Sequence, residues 1–268
     1  MKNWITISAA LGIVALGGSI YAANNKVSMT SKGGQTCIAS NGVPTHSIDG
    51  SRSASRFRAT NQEYCFDTTP TKTAGKTTAP ISGVTVTGIP IRPGTAEFYD
   101  PNGRNNISRD RSSGWNVEAI GPGDVIQLDN YNGHSDGRGL YHYHGMPTAL
   151  ININGSSLMA YAADGHEIHY VGGDAQSSWR LKSGSRASGP GGAYDGTYVQ
   201  DYEYVAGSGN LDECNGGMVN GKYVYFATDT FPYYPRCVWG EVSSDLEQRG
   251  QGGGERRGPN PKSHAVNF

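Results

Sequence analysis

No stretch of this chain keeps apolar residues recurring every three to four positions, so long amphipathic helices are excluded from the outset. In their place are short β-branched or aromatic runs bounded by Gly, Asn, Asp or Pro. They are Gly83 to Ile91, Asp124 to Leu128, Leu140 to His144, Leu158 to Ala162, Glu167 to Val171, Thr197 to Val205 and Lys222 to Ala227. Such punctuation predicts a mainly β fold: a single sandwich-like or irregular β domain with long loops and few short helices. The composition agrees, with 39 glycines, 16 tyrosines and only 6 phenylalanines. Hydrophobic content is low at 36%, but chains that stay unfolded lack aromatics, so a tyrosine-rich core is expected.

The N-terminus reads as an export signal. Lys2 gives a positive start, Ile5 to Leu16 are almost wholly apolar, and Ala22 offers a small residue for cleavage. Residues 1–22 are therefore read as a signal peptide, and the destination as periplasmic or secreted. The alternative is an uncleaved N-terminal anchor. No later stretch is apolar for long enough to span a bilayer, so no membrane insertion of the mature chain is expected. Residues 23–35 are polar and read as a flexible segment, 36–242 as the β domain, and 243–268 as a disordered Gly/Arg/Pro-rich tail. A net charge of −1 leaves no footprint for nucleic acid.

Export makes disulfides the default for Cys37, Cys65, Cys214 and Cys237. Four cysteines allow three connectivities, and proximity in sequence favours Cys37 with Cys65 and Cys214 with Cys237. A zinc site of four thiolates competes poorly, because the chain has no C-x-x-C pair.

Chemistry concentrates in the histidines. Five of the seven, His134, His142, His144, His166 and His169, fall within 36 residues. On a strand, residues two apart share a face, so His142 and His144 project together while Tyr141 and Tyr143 project the other way. Two imidazoles so placed can share a transition metal. His134 precedes them across an Asp/Gly turn and is the best local third ligand. Structural histidines, each hydrogen-bonded in a core, are the plain alternative. A second cluster, Asp212, Glu213 and Asn215, lies on a Gly-bounded turn. It could hold calcium, orient a metal-bound imidazole from outside, or simply build the turn. A nucleophilic serine elbow is absent. Gly139 to His144 also echoes Gly221 to Phe226 in its aromatic alternation, which suits either a duplicated β unit or two similar strands.

The run Tyr141-His142-Tyr143-His144-Gly145 resembles the signature of the YHYH domain proteins, exported bacterial proteins without an established activity. Further blocks are similar in order: Asn41 to His46, Ala96 to Tyr99, Trp115 to Ala119, Ala162 to Gly165, Gln200 to Tyr204, Leu211 to Gly216 and Phe231 to Cys237. The resemblance implies one domain over about residues 37 to 240 and gives His46 and His134 counterparts in the family pattern. It does not extend to His166 and His169, which stand where relatives read DGFPIY. The resulting expectation is an exported protein that binds a transition metal, copper or zinc, through His142, His144 and His134, with His46 as a fourth candidate. Two alternatives stand beside it. One is a metal-dependent hydrolase with Asp164, Asp212 or Glu213 as base. The other is a surface module that takes a protein or glycan partner on exposed tyrosines.

Overall fold

A computed structural model describes residues 24–151 and 155–250. The expected signal peptide and the tail beyond residue 250 lie outside the described residues.

Among the described residues, fifteen short strands and two small α-helices make the domain. The first three, β1 (Val27–Lys32), β2 (Gln35–Ser40) and β3 (Gln62–Asp67), form an antiparallel sheet. Cys37 and Cys65 are direct cross-strand partners there and are joined by a disulfide. Segment 23–35, expected to be flexible from its polar composition, instead supplies β1. Backbone pairing, which needs no apolar side chain, holds it to β2 from Val27 to Lys32.

The large sheet is built from β4 (Gly83–Thr85), β5 (Pro90–Ile91), β8 (Gly133–Ser135), β9 (Tyr141–Tyr143), β10 (Leu158–Ala162), β11 (Glu167–His169), β14 (Gly216–Val219) and β15 (Lys222–Phe226). Between them, β6 (Phe98–Arg104) pairs with β7 (Ile107–Ser108), and β12 (Trp179–Leu181) pairs with β13 (Tyr202–Tyr204). Helix α1 (Ser51–Arg56) packs against β8. Helix α2 (Ser244–Gly250) begins the stretch expected to be a disordered tail, and its Leu246 is fully buried. The fold is mainly β and irregular, as the punctuated sequence leads one to expect, with no closed barrel among the described residues.

The strand order of the large sheet is β14-β15-β11-β10-β4-β5-β9-β8, and it reads the same from its centre in both directions. On each side of the β4–β10 pair comes an antiparallel partner (β5, β11), then a parallel one (β9, β15), then an antiparallel edge strand (β8, β14). Chain order is the same in both halves. The echo between Gly139–His144 and Gly221–Phe226 is therefore a repeated β unit, with the two hairpins at opposite edges of one sheet.

Local chemistry repeats as well. Asp129 Oδ1 accepts the N–H groups of Tyr131 and Gly133, and Asp212 Oδ1 accepts those of Cys214 and Gly216. Asn132 and Asn215 follow with positive φ (60° and 62°), a conformation that asparagine tolerates. Gly133 and Gly216 lie under the hydroxyls of Tyr141 and Tyr223, where a Cβ would collide. Those hydroxyls donate to Asp129 Oδ2 and Asp212 Oδ2 at 2.5 and 2.7 Å.

One core runs between the sheets, joining Ile38, Tyr64 and Phe66 to Ile89, Ile91, Tyr143, Met159, Ile168 and Tyr225. Cys214 and Cys237 close a second disulfide at its margin. Asp124 to Leu128 is not a strand, because Asp124 and Gln127 take positive φ (49° and 52°) and interrupt it. Thr197 to Val205 opens with a 3-10 turn, Val199–Asp201, before β13 begins. Asp201 holds that turn by accepting the N–H groups of Gly196 and Tyr198.

Candidate metal centre

The β8–β9 hairpin sets the site. Asp136 closes its turn, accepting the N–H groups of Arg138 and Leu140, and Gly139 supplies a φ of 88°. This register puts His134 directly opposite His142. His144 follows one step beyond the strand on the same face. Its ring Nε2 lies 3.0 Å from His142 Nε2 and 3.2 Å from His134 Nε2. The three expected ligands therefore converge, and among the described residues they form a group whose ligand atoms all lie within 4.8 Å of one another.

Hydrogen bonding alone does not account for this arrangement. A ring nitrogen has one in-plane site, filled either by a proton or by a lone pair. His144 Nε2 faces two nitrogens and can satisfy one of them. An ion that accepts three lone pairs satisfies all three at once. The separations fit such an ion, since metal–nitrogen bonds of 2.0–2.1 Å in tetrahedral geometry put ligand nitrogens roughly 3.3 Å apart. The tautomers agree too: His142 Nδ1 donates to the Leu140 carbonyl at 3.3 Å, which leaves its Nε2 lone pair facing the centre. The triad could hold a metal ion.

The electrostatics keep these rings neutral. Burial is the largest cause that lowers all three pKa values, and it takes His142 and His144 well below 6.5. Arg92 and the neighbouring histidines push His142 and His144 further the same way. Glu97 and Asp136 pull His134 back up. Neutral imidazole is the form that binds metal.

The triad forms part of the floor of a cleft of about 840 Å³, also lined by Arg92, Glu97, Arg109, Asp136 and Arg138. A cleft of that size suits a small-molecule ligand. In the sequence Glu97 stands out only as part of a family block, and Arg92 and Asp136 do not stand out at all, because the fold brings the three together from separate hairpins.

The other expected residues lie elsewhere. His46 is on the opposite face of β9, stacked on Tyr131 at 3.9 Å. Its Nδ1 donates to the Ser47 carbonyl, so its Nε2 accepts the Tyr143 hydroxyl at 2.7 Å. Both nitrogens are committed, and His46 does not join the triad. His166 and His169 belong to the other half of the sheet. The first donates to the Tyr223 carbonyl, and the second bonds Ser157 and Glu167.

None of the three proposed bases reaches the cleft. Asp164 accepts the Tyr225 hydroxyl and the Gly240 N–H. Asp212 Oδ2 takes Lys72, Tyr223 and Trp239, and Glu213 pairs with Lys76. With both oxygens of Asp212 occupied, that turn is structural and offers calcium no free carboxylate. Of the tyrosines expected at the surface, no described one is fully exposed: Tyr64, Tyr143, Tyr225 and Tyr234 are core, whereas Tyr99, Tyr194 and Tyr204 are half-buried at the surface.

At the opposite edge of the sheet, the positions matching His134, His142 and His144 are Gly217, Val224 and Phe226. Val224 and Phe226 pack there with Ala175 and Leu211. One half of the repeat thus carries the candidate ligands, and the other carries an apolar plug.

No curated protein and no solved structure matches the chain. A family match does exist: it is to the YHYH protein family over residues 63–240, the span that holds the triad, Arg92 and Glu97, and so the chain belongs to the YHYH protein family.

Proposed function

We propose that this protein is exported and binds one transition-metal ion through His134, His142 and His144. The observation that carries the reading is the convergence of three Nε2 atoms at 3.0 and 3.2 Å on rings that burial keeps neutral. An all-imidazole donor set suits copper and zinc better than magnesium or calcium. Two closed disulfides and the absence of free cysteines fit an oxidising compartment.

A second reading, a metal-dependent hydrolase, is favoured by the cleft. Three protein ligands with one side left open is the pattern of a catalytic rather than a structural zinc site. A metal there supplies Lewis acidity to a bound ligand. Glu97, in the cleft wall, replaces Asp164, Asp212 and Glu213 as the residue placed to take a proton.

The test is metal content. Protein purified without a histidine tag, stripped with chelator and dialysed against zinc or copper should hold one ion per chain. His142→Ala and His144→Ala should hold none. Wild-type protein that takes up no metal, or a His142→Ala variant that takes up as much as wild type, would overturn the proposal.

A further inference from the structure

The cleft over the triad is rich in positive charge. Arg56, Arg92, Arg109, Arg111 and Arg138 line it, against Asp49, Glu97, Asp124 and Asp136. Two of those carboxylates are already engaged. Asp49 accepts Ser47 and Asn130. Asp136 holds its own turn and pairs with Arg92 at 3.0 Å. Among the described residues, Arg56, Arg109, Arg111 and Arg138 are in no salt bridge, and all four are exposed at the mouth. Water can satisfy an exposed guanidinium, so the mouth alone decides little.

Arg92 is a different case. Its backbone N–H bonds the Tyr143 carbonyl at 2.8 Å, which seats it beside the histidine strand, and its side chain is only 18% exposed. The Asp136 contact uses one N–H of a guanidinium that carries several. A dication held by three neutral imidazoles would add two positive charges next to it, with no carboxylate among the ligands. Asp136 balances Arg92 and Glu97 offsets one of the two added charges, so in a partly desolvated cleft the remaining positive charge favours an anion.

Resting on the metal reading above, we propose that the loaded cleft takes an oxyanion, a phosphate or carboxylate group of its ligand. Arg92 engages the anion beside the metal, and Arg56, Arg109 and Arg138 draw it in from the mouth. Neutral sugars gain nothing from this arrangement, and the cleft offers them no aromatic platform.

The experiment titrates inorganic phosphate, acetate and glycerol into zinc-loaded and metal-free protein by calorimetry. Zinc-loaded protein should bind an anion saturably, with affinity that falls as salt rises, and should ignore glycerol. Phosphate binding more tightly than acetate assigns a phosphate-bearing ligand, and the reverse assigns a carboxylate. Arg92→Met should weaken anion binding about tenfold or more, because it removes a charge-assisted contact. The double variant Arg109→Ala/Arg138→Ala, at exposed positions that folding does not depend on, should weaken it about threefold and flatten the salt dependence.

Protein that holds zinc but binds neither anion overturns the inference and leaves the metal reading standing. So does a pair of variants that both bind as wild type does. Protein that holds no zinc overturns the metal reading. In that case, phosphate binding lost in Arg92→Met keeps the cleft as an anion site, and its absence removes both.

Discussion

Converting the histidine hairpin into its own twin separates a metal site from a structural cluster. The perturbation is His142→Val with His144→Phe, which installs the residues found at the matching positions, Val224 and Phe226. In metal-free protein the native rings are a liability. His144 Nδ1 is buried without a partner, which costs about 1–3 kcal/mol, and its Nε2 faces two nitrogens while satisfying one. The substitution forfeits the His142 bond to the Leu140 carbonyl, worth about 1 kcal/mol. The double variant should therefore be about 0–2 kcal/mol more stable than wild type in chelator. Zinc at a thousandfold excess over its dissociation constant adds about 4 kcal/mol to a protein that binds it only when folded, and nothing to the variant. The order of stability should invert. Urea denaturation with chelator and with zinc measures both values, and an unchanged m confirms that the unfolding reaction is the same. If wild type is the more stable in chelator and zinc moves neither protein, the histidines are structural and the reasoning fails.

Installing histidines in the other hairpin is the reverse experiment: Gly217→His/Val224→His/Phe226→His should bind a second ion per chain. A Cβ at Gly217 meets nothing closer than 3.8 Å, so a folded triple variant still holding one ion would show that the repeat does not extend to metal geometry. His166→Ala and His169→Ala should change zinc affinity less than about twofold, since neither ring reaches the triad, and equilibrium dialysis of the two variants checks this. Acid should destabilise metal-free protein in a defined window. His46, His134, His142 and His144 all have folded pKa values lowered chiefly by burial, so below 6.5 the unfolded chain takes up protons that the folded one refuses. Stability is then full above pH 6.5 and falls below it, by at most about 1.4 kcal/mol per pH unit for each histidine. A flat stability between pH 7 and pH 5 in chelator would contradict the burial of these rings.

The triad was legible because it is local. His142 and His144 share a face by strand alternation, and a short Asp/Gly turn brings His134 opposite, so no distant part of the chain is needed. His46 misled because the resemblance aligned a residue without fixing the face of β9 on which it lands. The candidate bases misled for a related reason. Asp164 and Asp212 carry hydrogen bonds for tyrosine hydroxyls in the other half of the sheet, a role set by tertiary packing. Arg92, Glu97 and Asp136 left no signal of their own, because they meet through β5, the start of β6 and the β8–β9 turn. The strands of the large sheet were mostly readable from their β-branched and aromatic runs. β1, with its polar sequence, was not, because its order comes from pairing rather than from burial.

The duplicated hairpin allows function to be located by subtraction. The Asp carboxylate gripping a turn, the Asn at positive φ, the Gly beneath a tyrosine ring and the buried tyrosine pair occur in both halves. They therefore serve folding of the unit and need no metal to explain them. What differs is confined to one side: His134, His142 and His144 against Gly217, Val224 and Phe226. Arg92 joins that list, since it follows Ile91 on the strand parallel to Tyr143 as His169 follows Ile168 on the strand parallel to Tyr225. The surroundings differ in the same sense. Ala175 and Leu211 pack over Val224 and Phe226 and close that end with apolar contacts, whereas the histidine end opens on a cleft. A structural histidine cluster would gain from being covered in the same way. Neutral imidazoles left beside open space, with a cation at their flank and three Nε2 atoms crowded together, are a poor way to stabilise a sheet edge and a suitable way to hold an ion that meets a ligand.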